Sequence, residues 1–282
     1  MQGFGTVDLD WPRQSIPVMT VGHLMQKSED MIGDDLHGTY VFRGQGDASW
    51  PLEPRLVREV KGTTFEANDI IAIESEMRQQ FEAQAHLHLE PSVLEEGDFI
   101  AWWALMQHHG APTRLLDWTR SPLVALYFAA VEVPTKDGAV WFFAKDRLRE
   151  EMTRRFPSYF EQIMPNVEVL EEQCRTPDAG KAIYVVQRIR HTSRMIAQKG
   201  VFTMCTQVLG EHGHVIADAL KDREGSHGVW IIERRDKQRL LAALQSANIT
   251  ASALFPGIDG IGRSMQDLVR NWLQGKAEPD TE

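Results

Sequence analysis

Cysteine is nearly absent: the 282-residue chain has two, Cys174 and Cys205, far apart. No CxxC pair or Cys/His zinc spacing occurs, and two isolated cysteines make no disulfide framework. Both are expected as buried free thiols in a reducing compartment. No apolar run approaches the roughly 20 residues of a membrane span. The opening MQGFGTVDLDWPRQ lacks the basic and apolar segments of a secretory leader. Positive charge is in deficit: 30 Lys and Arg against 40 Asp and Glu give a net charge of −10. Such a surface as a whole does not attract duplex DNA or an anionic membrane. Nucleic acid is thus disfavoured as a partner, and only a local basic cleft leaves room for it. The chain reads as a cytoplasmic protein of bacterial style.

Familiar chemical signatures are missing too. There is no GxSxG elbow. GIDGIGRS (257–264) imitates a phosphate loop, but it follows no βαβ strand and lacks the P-loop lysine. His212 and His214 stand two apart, not at the i,i+4 spacing of a helical zinc pair. No metal site is expected. Glu74 and Glu76 read as solvated charges on a helix.

What is present is an alternation of helices and strands without repeats or a linker. Thr39–Phe42 predicts a strand, with Gly44, Gly46 and Asp47 as turn formers after it. Ile70, Ile73, Met77 and Phe81 recur at helical spacing, with Asn68 or Asp69 as the cap. A second helix starts near Asp98 and closes at Gly110. Ser121 caps a third, with Pro122 in its first turn. Strands are predicted at 138–144, 181–187, 200–206 and 228–233, with helices at Asp146–Phe156, Asp236–Ala247 and in DGIGRSMQDLVRNWL. The expected fold is one α+β domain, a mixed or antiparallel sheet flanked by helices. It spans 20–270, between an N-terminal extension (1–19) and a C-terminal tail (271–282) of disordered character.

Two stretches carry unusual polarity. In YVFRGQGDASW (40–50), Arg43 ends a strand whose neighbours are apolar, so its planar fork needs a carboxylate, a phosphate or carbonyls around it. Asp117 is the candidate structural partner. Gly44 permits close approach of backbone or ligand. In HHGAPTRLLDWTRSPLVALYFAA (108–130), the residues Thr113, Arg114, Asp117, Trp118, Thr119 and Ser121 are read as a loop between two buried helices, where binding groups concentrate. His108 and His109 end a helix, whose dipole is expected to raise their pKa. Ser121 is explained by capping alone, and Trp118 by core cover. A third, weaker stretch is RMIAQKGVFTMC (194–205), in which Gln198 and Gly200 precede a strand.

These stretches resemble the FRG domain family, named for its Phe-Arg-Gly motif. The resemblance rests on YVFRGQ with Trp50 downstream, QHHGAPTRLLDWTRSPLVALYFA, AQKGVFT and LFPGIDGIGRSM, in that order. A more distant similarity is to ADP-ribosyltransferases, whose core opens with a strand ending Arg-Gly. It continues with a Ser-Thr-Ser strand running into an Ala-x-x-Phe helix. Here Phe42–Gly44 matches the first, and Asp117–Phe128 the second, with Thr119 and Ser121 in the polar positions and Ala125 and Phe128 in the helix. That similarity implies an NAD- or nucleotide-directed transferase or glycohydrolase, used as a bacterial toxin or phage-defence effector on an unidentified macromolecular acceptor. It implies catalytic roles for Arg43, His109, Thr119 and Gln198. It implies NAD contacts for Gly44, Gln45, Arg114, Asp117, Trp118 and Ser121, with Tyr127 stacking on nicotinamide. The family's late catalytic glutamate has no clean match; Gln198 is uncharged, and Glu211 and Glu233 are the candidates.

Three readings remain: an NAD-directed enzyme, a module that senses a nucleotide or nucleic-acid end, and an interaction domain whose polar cluster is an internal network. A cavity lined by Arg43, His109, Arg114 and Gln198 with a facing carboxylate favours the first. An open basic groove favours the second. A buried Arg43–Asp117 pair without a cavity favours the third.

Overall fold

The computed structural model describes residues 11–12, 20–32, 40–85, 87–89, 99–160, 167–177, 180–186 and 192–275. Most of the expected N-terminal extension and the end of the expected tail lie outside these residues. The strands are β1 (Tyr40–Gln45), β2 (Leu115–Thr119), β3 (Gly138–Ala144), β4 (Ile183–Val186), β5 (Gly200–Cys205) and β6 (His227–Ile232). The helices begin with α1 (Val21–Ile32), α2 (Arg55–Val60), α3 (Ala67–Ala85), α4 (Phe99–His108) and α5 (Pro122–Val131). They continue with α6 (Lys145–Arg155), α7 (Pro157–Phe160), α8 (Val167–Cys174), α9 (Ser193–Ala197) and α10 (His212–Leu220). Last come α11 (Lys237–Ser246), α12 (Ala251–Leu254) and α13 (Ile258–Gly275).

The strands form one sheet in the order β4-β5-β2-β1-β3-β6, with every pairing antiparallel. The α+β expectation holds. The pairings are unequal, however. β1 and β3 run side by side from Tyr40↔Ala144 to Gln45↔Ala139, and β2 and β5 from Leu115↔Met204 to Thr119↔Gly200. β1 and β2 meet only at Phe42↔Thr119. The sheet is therefore two three-stranded halves joined at one bridge. A seam opens beyond it, between Arg43–Gln45 and Leu115–Asp117.

Successive strand residues face opposite sides. Val41, Leu116, Trp118, Trp141, Phe143 and Val201 build one core, closed by α6 and α10. On the other face, Phe42, Val140, Phe142 and Trp230 pack under α5, α11 and α1. That same face of the β2–β5–β4 half is covered by α4, which is apolar on all sides and buries Phe99, Trp103 and Met106. Helix α5 begins as expected: Ser121 Oγ accepts from Val124 N, and Pro122 follows. It then lies directly on β1. A Cβ at Gly44 would stand 1.8 Å from the Ala125 carbonyl oxygen, and one at Gly46 would stand 2.5 Å from Glu132 Cβ. Glycine at both positions is what allows strand and helix to touch.

Three local expectations are corrected. Residues 115–119 are a central strand and not part of a loop. β2 is covered on both faces, so its apolar residues do not alternate as a half-buried strand's do. Asn68 and Asp69 lie inside the first turn of α3, which starts at Ala67; the Asp69 carboxylate accepts from Glu66 N. Glu74 is buried, whereas Glu76 is exposed as read.

Candidate functional site

Arg43 leaves β1 where the seam opens. Its Nη1 donates to the Asp117 carbonyl oxygen at 2.7 Å and lies 3.9 Å from Asp117 Oδ2. The two partners differ in setting: the Arg43 side chain is 16% exposed and that of Asp117 is 63% exposed. Arg43 Nε is buried and makes no hydrogen bond with the described residues. Burial lowers the Arg43 pKa below the usual arginine value. Asp117 opposes the shift and Arg58 adds to it. Keeping this charge thus costs solvation that one exposed carboxylate only partly restores.

Two more buried polar atoms share this strand face without a hydrogen bond to the described residues: Gln45 Oε1, and Nε1 of Trp141, directly opposite Arg43 on β3. Beside them, Trp118 Nε1 donates to Thr203 Oγ1, and Thr203 Oγ1 lies 2.9 Å from His212 Nδ1. The hydroxyl that accepts from the indole can give its proton to Nδ1, which leaves the imidazole proton on Nε2. Burial, with Arg43 and Arg114 nearby, pushes the His212 pKa down to about 3. His212 is therefore a neutral imidazole at physiological pH.

Asp117 also bears on Arg194 of α9, whose pKa is lowered by burial and by Arg263. Arg194 and Arg263 both stack on the Phe255 ring, at 4.7 and 4.3 Å. Glu132, at the end of α5, is raised by burial, with Arg43, Arg263, Lys237 and Arg58 opposing. His108 is lowered by burial, by His109 and by Arg194. The helix-dipole expectation fails for His108 because desolvation and neighbouring positive charge outweigh it. The seam thus gathers guanidinium groups on a chain whose net charge is −10.

The other candidate residues are placed as follows. Thr119 Oγ1 donates to the Gln198 carbonyl at 2.6 Å and accepts from Ser121 N, while Gln198 Nε2 donates to the Leu254 carbonyl. Thr119, Gln198 and Ser121 together stitch the end of β2 to the turn before β5. Gln45 Nε2 donates to the Pro51 carbonyl. Gly44 is covered by α5 on one side. Tyr127 is buried on α5, edge-on to Phe128, in the core of the face that carries Phe42. His109 is exposed and packs against Phe81 and His108. Arg114 is 1% exposed. It binds both carboxylate oxygens of Glu74, donates to the Thr206 and Cys174 carbonyls and lies over the Trp103 ring. Glu211 pairs with His214 and Glu233 with Arg235, and neither is among the charges that bear on Arg43. Both cysteines are free and buried, and burial pushes their pKa up to about 12 for Cys174 and about 11 for Cys205, so neither is a ready nucleophile.

The family model of the FRG domain matches residues 38–138. This stretch is an FRG domain. It supplies both strands of the seam and the helix that lies on them, with Phe42-Arg43-Gly44 at the parting point. Residues from beyond the match complete the surroundings of the seam: Arg194, Gln198, Thr203, His212, Phe255 and Arg263. No curated protein and no solved structure matches the chain. Reading the sequence missed Arg194, Arg263 and Phe255, although they lie in or beside the stretches that carry the resemblance. Their role depends on packing between α9, α12 and α13, which no local spacing announces.

Proposed function

We propose that the seam binds a nucleotide, NAD in the first instance, and that the protein cleaves its nicotinamide–ribose bond as an ADP-ribosyltransferase or glycohydrolase. The observation that carries this reading is Arg43: a desolvated guanidinium with an unused Nε and an excess of cations around it gains most from an anionic, bidentate ligand such as a pyrophosphate. Asp117 supplies the second requirement. Its carboxylate is exposed, lies 3.9 Å from Arg43 Nη1 and acts electrostatically on Arg194. Glycosidic cleavage develops positive charge on the sugar, which a fixed carboxylate stabilises. Asp117 thus takes the place for which Glu211 and Glu233 were considered. In a cell, such an activity would serve a toxin or a phage-defence effector.

Purified protein is incubated with NAD, alone and with cell lysate, and nicotinamide release is followed. Release that disappears in Arg43→Ala and Asp117→Asn, with thermal unfolding unchanged, supports the proposal. No release from the folded wild type with either addition overturns its chemical half. One observation favours a second reading, a non-catalytic nucleotide sensor: Thr119 and Gln198 spend their side chains on joining β2 to the β5 turn. That reading is supported by nucleotide-dependent thermal stabilisation, lost in Arg43→Ala, without nicotinamide release.

A further inference from the structure

Helix α13 turns its apolar side to solvent. Ile258, Ile261, Met265, Leu268, Val269 and Trp272 are between 48% and 78% exposed. Four of the intervals, from Ile258 to Ile261, Met265, Leu268 and Trp272, alternate strictly between three and four residues. That alternation is the period of a coiled-coil seam, and Val269 flanks it. The helix is anchored through its first turns. Arg263 stacks on Phe255, Asp259 bears on His108 and Arg194, and Gly260 sits so close to the Phe255 carbonyl that a Cβ there would stand 1.8 Å from the oxygen. An amphipathic helix on a globular protein ordinarily buries its apolar stripe, whereas α13 leaves that stripe in solvent.

We infer that this row pairs with α13 of a second copy of the chain about a two-fold axis. The exposures correspond to roughly 700 Å² of mostly apolar surface per chain, close to the ~800 Å² per partner that a stable interface buries. A row of like residues at a and d spacing is self-complementary under such an axis. A lipid surface fits less well. The polar positions of α13 set Arg263 and Arg270 against Asp259 and Asp267, so the helix has no basic excess for headgroups, and the net charge of −10 opposes an anionic bilayer.

The test is the molar mass of the full chain by sedimentation equilibrium at tens of micromolar, for the wild type and for Ile261→Glu/Leu268→Glu. Both side chains face solvent, so the double variant keeps its fold, which circular dichroism and thermal unfolding verify. A wild-type dimer that becomes a folded monomer in the variant supports the inference. A monomeric wild type overturns it, and so does a dimer that survives both glutamates. Flotation with vesicles of phosphatidylserine and phosphatidylcholine covers the competing occupant: a monomer that floats with vesicles assigns the face to lipid and also overturns the inference.

Discussion

Arg43 on β1 donates to the backbone carbonyl of Asp117 on β2, 2.7 Å away, across the point where the two halves of the sheet part. The bond anchors the guanidinium and leaves Nε unused. Loss of charge-assisted hydrogen bonds worth about 1.5–3 kcal/mol corresponds to roughly 10- to 100-fold weaker nucleotide binding in Arg43→Ala. Arg43→Lys recovers little of it, because a point charge does not reproduce a planar fork. Titration calorimetry with NAD on both variants, each shown to be folded, measures the effect.

Gly44 answers to a different constraint from its neighbour. Gly44→Ala drives a methyl into the α5 backbone, which neither element can evade without separating. The expected cost is about 3 kcal/mol or more, read as a lowered urea midpoint. Gly262→Ala is the control. Nothing lies within 4 Å of its added Cβ, and replacing a helical glycine there should stabilise by up to about 1 kcal/mol.

The buried pair Arg114–Glu74 ties α3 to the start of β2, and the same arginine fork reaches the carbonyls of Thr206, just after β5, and Cys174, the last residue of α8. Either alanine variant strands a charge in the interior and should cost about 3–5 kcal/mol. Joint replacement, Arg114→Met with Glu74→Leu, should restore most of that stability. Urea unfolding of the two alanine variants and of the double replacement makes the comparison. Persistent loss in the double variant would show that the carbonyl contacts of Arg114, and not the ion pair, hold this corner.

The fold was largely legible where local chemistry decides it. Ser121 with Pro122 marks a helix start, and Gly110, at φ +90°, marks a helix end, because cap geometry admits few residues. β3, β5 and β6 show as apolar runs bounded by turns. β2 did not, since burial on both faces erases alternation and the polar Asp117 interrupts the run. Glu74 was misread for a related reason: its partner Arg114 lies 40 residues away, and no spacing along a helix discloses such a pairing. Of the site, Arg43 was visible because a charged residue in an apolar strand needs an explanation, and Asp117 as the candidate carboxylate for its fork. Arg194, Arg263 and His212 were not, because each acquires its role only from elements packed against it.

His212 gives the protein an acid-side signature. Its folded pKa is depressed to about 3, so between pH 3 and the ordinary histidine value near 6.5 the unfolded chain takes up a proton that the native state refuses. Stability therefore rises from pH 3 to 6.5 through this group and is level above it. His212→Gln, which keeps an acceptor for Thr203, should flatten that slope relative to wild type. Denaturant titrations at pH 4, 5.5 and 7.5 compare the two.

The single bridge between β1 and β2 also leaves little backbone bonding between the two halves of the sheet. Phe42 and Thr119 are the one paired position, with Arg43 on one half and Arg194, whose helix leads into β5, on the other. On the proposed nucleotide-binding reading, an anion that reached both arginines would be a second fastening across this junction. Binding would then register in amide exchange along β2 and β1 at once, including at residues that never touch the ligand.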